Sequence, residues 1–145
     1  MKAAEIMVAV VDGQGGGVGR ALTERIRHTY PELQIRALGT NSAATAAMLK
    51  GGANDGATGE NAIVYNARRV QIILGPIAIL CANGLLGEVT PAMAEAIGGS
   101  DAVKILLPSQ KCRIKLAIGP AQTMQTYLDE AIKLLGEEIN KLTEN

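Results

Sequence analysis

Asp12-Gly13-Gln14-Gly15-Gly16-Gly17-Val18-Gly19 is a run whose residue types can hold an anion. Glycines let the backbone turn sharply and let a ligand approach the bare main chain. Where such a run opens a helix, the first N–H groups have no intrahelical acceptor and carry the positive end of the helix dipole. A phosphate group is the natural occupant of that position. The apolar stretch Ile6-Met7-Val8-Ala9-Val10-Val11 precedes the run directly, and residues 18–27 follow with Val18, Leu22 and Ile26 on one helical face. Strand, glycine loop and helix is the layout of a phosphate-binding turn. A tight turn that packs closely and binds nothing would carry the same signature.

The spacing of Gly13, Gly17 and Gly19 resembles the turn of short-chain dehydrogenases, with Asp12 where threonine is usual. It is not GxGxxG, because Val18 stands at the last glycine, and no Lys-Ser or Lys-Thr follows to make a P-loop. A dinucleotide enzyme also places an acidic residue after its second strand, about 20 residues on. Gly39, Thr40 and Asn41 stand there instead, so NAD is not specifically supported. The ligand contacts expected from this reading are Asp12, Gly13, Gln14, Gly15, Gly16, Gly17, Gly19, Thr40 and Asn41.

Two carboxylates are candidates for proton transfer. Asp12 ends the first strand beside the glycines; it can bind a sugar hydroxyl or a metal-bridged phosphate, or close the turn on its own N–H groups, and the local role is the more usual. Glu88, in the loop after the third expected strand, is the best placed general acid or base if one exists, and a solvated carboxylate otherwise. Gly56-Ala57-Thr58-Gly59-Glu60-Asn61 reads as a second small-residue helix start with Thr58 as its cap. His28 is the only histidine and suits the end of a helix. With two distant cysteines, Cys81 and Cys112, it makes no zinc constellation and no disulfide framework. Tyr65 and Arg69 have the spacing of the Tyr-xxx-Lys pair of short-chain dehydrogenases, but the lysine is replaced and the pair comes too early in the chain.

The elements that must position these groups alternate. Strands are expected at 6–11, 33–38, 70–74 and 103–107, and helices at 18–27, 43–50, 60–69, 91–97 and 126–142. Asn41 or its neighbours can cap the second helix, and Thr90-Pro91 is a strong start for the fourth. The last helix carries Leu128, Ala131, Ile132, Leu135, Ile139 and Leu142 on one face. The link from 108 to 111 is too short for a parallel crossover, so 113–118 is expected to return antiparallel at the sheet edge. The expected fold is a three-layer Rossmann-like α/β sandwich with a mostly parallel five-stranded sheet, and residues 1–145 form one domain. Ligands of such sheets bind beyond the carboxyl ends of the strands.

Composition excludes several classes. The net charge is zero, which leaves no electrostatic footprint for nucleic acid, and Tyr30, Tyr65 and Tyr127 are the only aromatics, too few to stack bases. Residues 70–87 carry no charge, but Pro76, Asn83 and three glycines suit a buried strand and loop better than a membrane span. Met1 opens no signal-type apolar segment, so a cytoplasmic location is expected. The apolar side chains of residues 76–86 imply a homodimer or higher homo-oligomer.

The glycine run with its flanks, together with Ala37-Leu38-Gly39-Thr40-Asn41, residues 57–66 and Gly87-Glu88-Val89-Thr90-Pro91 with residues 93–97, resembles an uncharacterised bacterial family catalogued as domain of unknown function 3842. The resemblance covers nearly the whole chain and implies a bacterial, Rossmann-like small protein; it brings no reaction, substrate or catalytic residue. The function expected is binding of a nucleotide, a dinucleotide or another phosphorylated small molecule at the glycine loop. The alternatives are an enzyme acting on a small phosphorylated metabolite, and a structural or assembly protein with an empty turn.

Overall fold

Five of the six residues in Met7–Asp12 are buried, which makes this apolar run (β1) a central strand with both faces covered. The structure is a computed structural model that describes residues 1–109 and 112–144. In chain order, α1 (Gly17–Thr29), β2 (Gln34–Gly39), α2 (Ser42–Lys50), β3 (Asp55–Thr58) and α3 (Glu60–Ala67) follow; then come β4 (Ile72–Pro76), α4 (Pro91–Gly98), β5 (Val103–Leu107) and α5 (Met124–Thr143). The strands form one sheet in the order β3-β2-β1-β4-β5, and every pairing is parallel.

The period of two along β1 divides the core. Val8 and Val10 join Leu22 and Ile26 of α1, Met48 of α2, and Leu128, Ala131, Leu135 and Ile139 of α5. Ala9 and Val11 join Ile63 of α3 and Met93 and Ile97 of α4 on the other face. Helix, sheet and helix make three layers, as expected. The apolar face read from the last helix is present, with Ile132 and Leu142 half-buried at its margin. Among the described residues no helix is long and apolar enough to cross a membrane.

Two expectations need correction. The antiparallel edge strand at 113–118 is absent: those residues form neither helix nor strand, and the sheet is wholly parallel. The reason is where α5 begins. Its first turn stands at the carboxyl end of the sheet, so that Met124 and Tyr127 face a cavity shared with the glycine loop. The linker therefore stays at the end where β5 finishes, whereas a hairpin would carry the chain to the opposite end. Gln110 and Lys111 of the expected turn lie outside the described residues.

The fifth strand is β3, from Asp55-Gly56-Ala57-Thr58, which reads as a turn because its residues have low strand propensity. Pairing with β2 overrides that. Arg36 lies opposite Asp55 and donates from Nε (2.8 Å) and Nη2 (2.9 Å) to its carboxylate. This bidentate contact, the largest influence on both groups, raises the Arg36 pKa and lowers that of Asp55. A side chain at Gly56 would press on the Ala37 carbonyl (3.0 Å) and the Thr45 methyl (3.0 Å), so glycine is what admits the strand beside β2. Thr58 consequently does not cap α3. Its hydroxyl pairs with that of Thr45 at 2.8 Å, and Gly59 is the N-cap residue, without a side-chain bond.

The remaining caps follow the expectation. Asn41 Oδ1 accepts from the Ala44 N–H (2.9 Å), and Thr90 Oγ1 accepts from the Met93 N–H (3.2 Å). The apolar side chains of residues 76–86 are mostly covered: Ile79 is buried, Ile77, Leu80 and Leu85 are half-buried, and Leu86 alone of the leucines and isoleucines there stands exposed, at 95%. The exposed apolar side chains gather instead at Ile114, Leu116, Ile118 and Met124.

Candidate anion-binding site

The glycine run lies at the carboxyl end of β1, between β2 and β4, where the chain turns outward in both directions across the sheet. This is the switch point at which open parallel sheets bind ligands. Gly39-Thr40-Asn41 after β2, residues 77–88 after β4 and Pro108-Ser109 after β5 end at the same edge.

The glycines of the run divide into two sets. An added Cβ at Gly13 would meet Thr40 Oγ1 at 2.6 Å and Leu85 Cδ1 at 2.8 Å. At Gly16, which has φ +74°, it would meet Ala44 Cα at 2.8 Å; at Gly19, Met48 Sδ at 2.6 Å and Asp12 Cβ at 2.8 Å. These three are glycine because the packing of turn, α1 and α2 demands it. Gly15 and Gly17 are different: among the described residues nothing lies within 4 Å of an added Cβ at either. Neither has positive φ, so neither conformation nor packing requires glycine there.

The main chain shows the same division. The Gly13 N–H donates to Asp12 Oδ1 (2.8 Å), the Gln14 N–H to Glu88 Oε1 (2.8 Å), the Gly16 N–H to the Gly13 carbonyl (2.9 Å), and the Gly19 N–H to Asp12 Oδ2 (2.7 Å). Among the described residues no protein acceptor takes the N–H groups of Gly15, Gly17 or Val18. Three donors at or just before the start of a 13-residue helix thus lack an acceptor among the described residues.

Both candidate carboxylates are engaged. Asp12 is buried; its Oδ1 accepts from the Gly13 N–H and its Oδ2 from the Gly19 N–H in the first turn of α1. Glu88 Oε1 accepts from the Gln14 N–H, the Thr40 hydroxyl (2.7 Å) and Asn41 Nδ2 (2.8 Å). The Gln14 N–H, then the Thr40 hydroxyl and, more weakly, the Asn41 amide hold its carboxyl below the usual carboxylate range, against a smaller opposing effect of burial. Such a group keeps its charge at neutral pH. Thr40 and Asn41, expected as ligand contacts, are bonded to Glu88, and Asn41 Nδ2 also donates to the Gln14 carbonyl (3.0 Å).

Glu88 reaches the loop on an unusual stretch of backbone. Asn83, Leu85, Leu86 and Gly87 all have positive φ, at 65°, 54°, 58° and 91°. Left-handed leucine costs about 1–2 kcal/mol. The stretch is held by main-chain bonds from Asn83 to the Val89 carbonyl (2.7 Å), and from Val89 to that of Gly84 (3.0 Å). It lays Leu85 against Gly13 and fills the side of the switch point that faces β2.

The open side faces β4 and β5. A cavity of about 560 Å³ is lined by the glycine run together with Pro76, Leu85, Pro108, Ser109, Gln122, Met124 and Tyr127. A second, of about 790 Å³, shares Pro108, Ser109, Gln122 and Tyr127 with it and extends along residues 112–121, with Arg113 and Lys115 in its wall. Gln122, Met124 and Tyr127 were not expected at the site. They come from the linker and first turn of α5, which an antiparallel edge strand would have placed elsewhere. Tyr127 steadies that wall by accepting the Gln122 N–H at its hydroxyl (2.8 Å). The region of residues 56–61, the second small-residue helix start, contributes nothing to either cavity.

No curated protein matches the chain. Among solved structures it is similar to a dodecameric FMN-dependent UbiX-like decarboxylase from Escherichia coli O157:H7, with a TM-score of 0.42 and 16% identity, over 90% of this chain and 75% of that one. The family described as Domain of unknown function (DUF3842) matches residues 7–140, and the chain belongs to it.

Proposed function

We propose that the protein binds a phosphorylated small molecule, with its phosphate on the N–H groups of Gly15, Gly17 and Val18. The observation that carries this reading is the openness of Gly15 and Gly17. An empty packing turn accounts for glycine at 13, 16 and 19, and gives no reason for it at 15 and 17. A phosphate against the main chain gives that reason, because any side chain there would take up the ligand's place. Leu85 and Glu88 close the side toward β2, so the rest of the ligand extends toward β4 and β5. That direction and the cavity size suit a mononucleotide or a phosphorylated metabolite better than a dinucleotide. Arg113 and Lys115 offer positive charge at the far end.

A thermal-shift screen of nucleotides and phosphorylated metabolites tests the reading. A ligand at 100 times its Kd adds about 2.7 kcal/mol of stability. Gly15→Val and Gly17→Val are expected to fold and to lose the shift, since a β-branched side chain fills the anion's place. Variants that fold and bind as the parent does would put the site elsewhere. A screen without hits would favour a structural or assembly role. The same proposal includes association of like chains through Ile114, Leu116 and Ile118, which light scattering reads as a mass above the monomer at micromolar concentration.

A further inference from the structure

Charge is unevenly placed around the two cavities. Of the 14 acidic residues in the chain, Asp12 alone lines either cavity, and both of its oxygens accept N–H groups of the glycine run. The larger cavity has no acidic residue in its lining and two cationic ones, Arg113 and Lys115. Among the described residues the ion pairs belong to Arg20, Arg25, Arg36 and Lys141, and no acidic side chain pairs with Arg113 or Lys115. Both cations stand on the linker between β5 and α5, with Ile114 between them and Leu116 after them, and all four side chains line the cavity. The net charge of the chain is zero, so the excess is local. Pro108, Ser109, Gln122 and Tyr127 line both cavities, so a ligand seated on the glycine loop has a way into the larger one.

We infer that the larger cavity receives the second acidic end of a two-headed ligand: an aliphatic molecule with a phosphate on the glycine loop and another anionic group, carboxylate or phosphate, against Arg113 and Lys115. The inference rests on the phosphate reading of the glycine loop and narrows its ligand class. A guanidinium can meet either anion through two parallel N–H bonds, and the ammonium of Lys115 adds a second charge. Ile77, Leu116 and the half-buried Tyr127 give the cavity an apolar lining for the body of the ligand. Arg113 and Lys115 are exposed and stay hydrated, so each contributes as a surface ion pair does. Together they strengthen binding by about three- to thirtyfold. Salt screens exposed pairs, so the gain shrinks as ionic strength rises.

The test uses calorimetric titration of the whole protein with straight-chain alkyl phosphates, butyl to octyl, and with the ω-carboxy and ω-phosphate derivatives of the same chains. Affinity of the alkyl phosphates is expected to rise with length, by up to about fourfold per methylene removed from water. The ω-anion is expected to add about three- to thirtyfold at equal length. The stronger of the two ω-groups identifies the second head. The double variant Arg113→Gln, Lys115→Gln is expected to abolish that difference. Lys50→Gln, Lys133→Gln changes the net charge equally at two exposed positions outside both cavities and is expected to keep it. Gly15→Val is expected to lose all three kinds of probe. An ω-anion that adds nothing to the parent's binding, or a gain that survives Arg113→Gln, Lys115→Gln or is lost equally with the distant pair, would overturn the inference; alkyl phosphate binding that Gly15→Val removes would then still uphold the phosphate reading. A gain that depends on Arg113 and Lys115 but survives Gly15→Val would overturn the phosphate reading and leave the two cations as an anion site. Absence of binding by every probe would overturn both.

Discussion

At the scale of single residues, the glycine run combines two demands that look alike in sequence. Gly13, Gly16 and Gly19 answer to side chains and backbone arriving from Thr40, Leu85, Ala44 and Met48. None of these neighbours is near in sequence, so the run alone cannot sort its own glycines. Substitution by alanine separates them. Gly16→Ala is expected to cost at least about 2 kcal/mol, since it combines positive φ with contact against the Ala44 backbone. Gly13→Ala and Gly19→Ala should also destabilise; at Gly19 the Met48 tip can yield, but Asp12 Cβ, fixed to its backbone, cannot. Gly15→Ala and Gly17→Ala should fall within about 0.5 kcal/mol of the parent, as open positions do. Urea unfolding midpoints at constant m-value read the comparison. Equal losses at all five positions would remove the distinction on which the phosphate reading rests. Asp12 was legible in the sequence because its partners, Gly13 and Gly19, lie within the same turn. Glu88 was singled out as a proton-transfer candidate, but its partners Gln14, Thr40 and Asn41 come from the segments that follow β1 and β2, far from it in sequence.

At the scale of elements, periodicity located what packing decides and missed what pairing decides. β1 and β4 are apolar runs buried in the sheet, β5 is a largely apolar run at its edge, and α1, α4 and α5 carry clear caps or faces; all six are readable. β3 is a strand only because β2 offers it an edge, and 113–118 alternates but is kept from the free edge of β5 by where α5 begins. The stretch from Asn83 to Gly87 is likewise unreadable, because left-handed leucines oppose local preference and are held by the bonds around them. Its task is to deliver Glu88 to Gln14, Thr40 and Asn41, and that task has a pH signature. The folded-state pKa of Glu88 lies below its unfolded value, near ~4.3. Its stabilisation is therefore present above the unfolded value and is lost as pH falls through the folded one. Glu88→Gln keeps the shape and gives up the charge, and charge-assisted bonds are about twice as strong as neutral ones. The variant should be less stable than the parent by about 1 kcal/mol at pH 7, with the difference shrinking below pH ~4. Unfolding free energies of the pair at several pH values check it; a difference that stays constant down to pH ~3 would mean that the carboxylate contributes no charge to the turn.

At the scale of the whole molecule, the question is whether a fold with so little chain beyond its sheet performs a reaction or holds a ligand. Catalytic walls in this architecture come from loops at the carboxyl ends of the strands, and here those loops are short or already employed. Residues 77–88 close the side toward β2, and residues 112–123 form an apolar wall that carries only Arg113 and Lys115 as charges. A general base needs an oxygen that can reach the substrate and a pKa near the working pH. Both Asp12 oxygens accept main-chain N–H groups of the glycine run, and Glu88 accepts from three donors that favour its ionised form. Moving either to a substrate would release the N–H groups that shape the glycine loop, so proton transfer and binding would compete for the same side chains. Binding without turnover is the expected result. Incubation of the screen's best ligand with concentrated protein, followed by mass spectrometry, should return the ligand unchanged. General acid–base catalysis contributes ~100- to 10,000-fold, so product that forms with the parent protein and disappears with Asp12→Asn or Glu88→Gln would be unmistakable and would establish an enzyme instead.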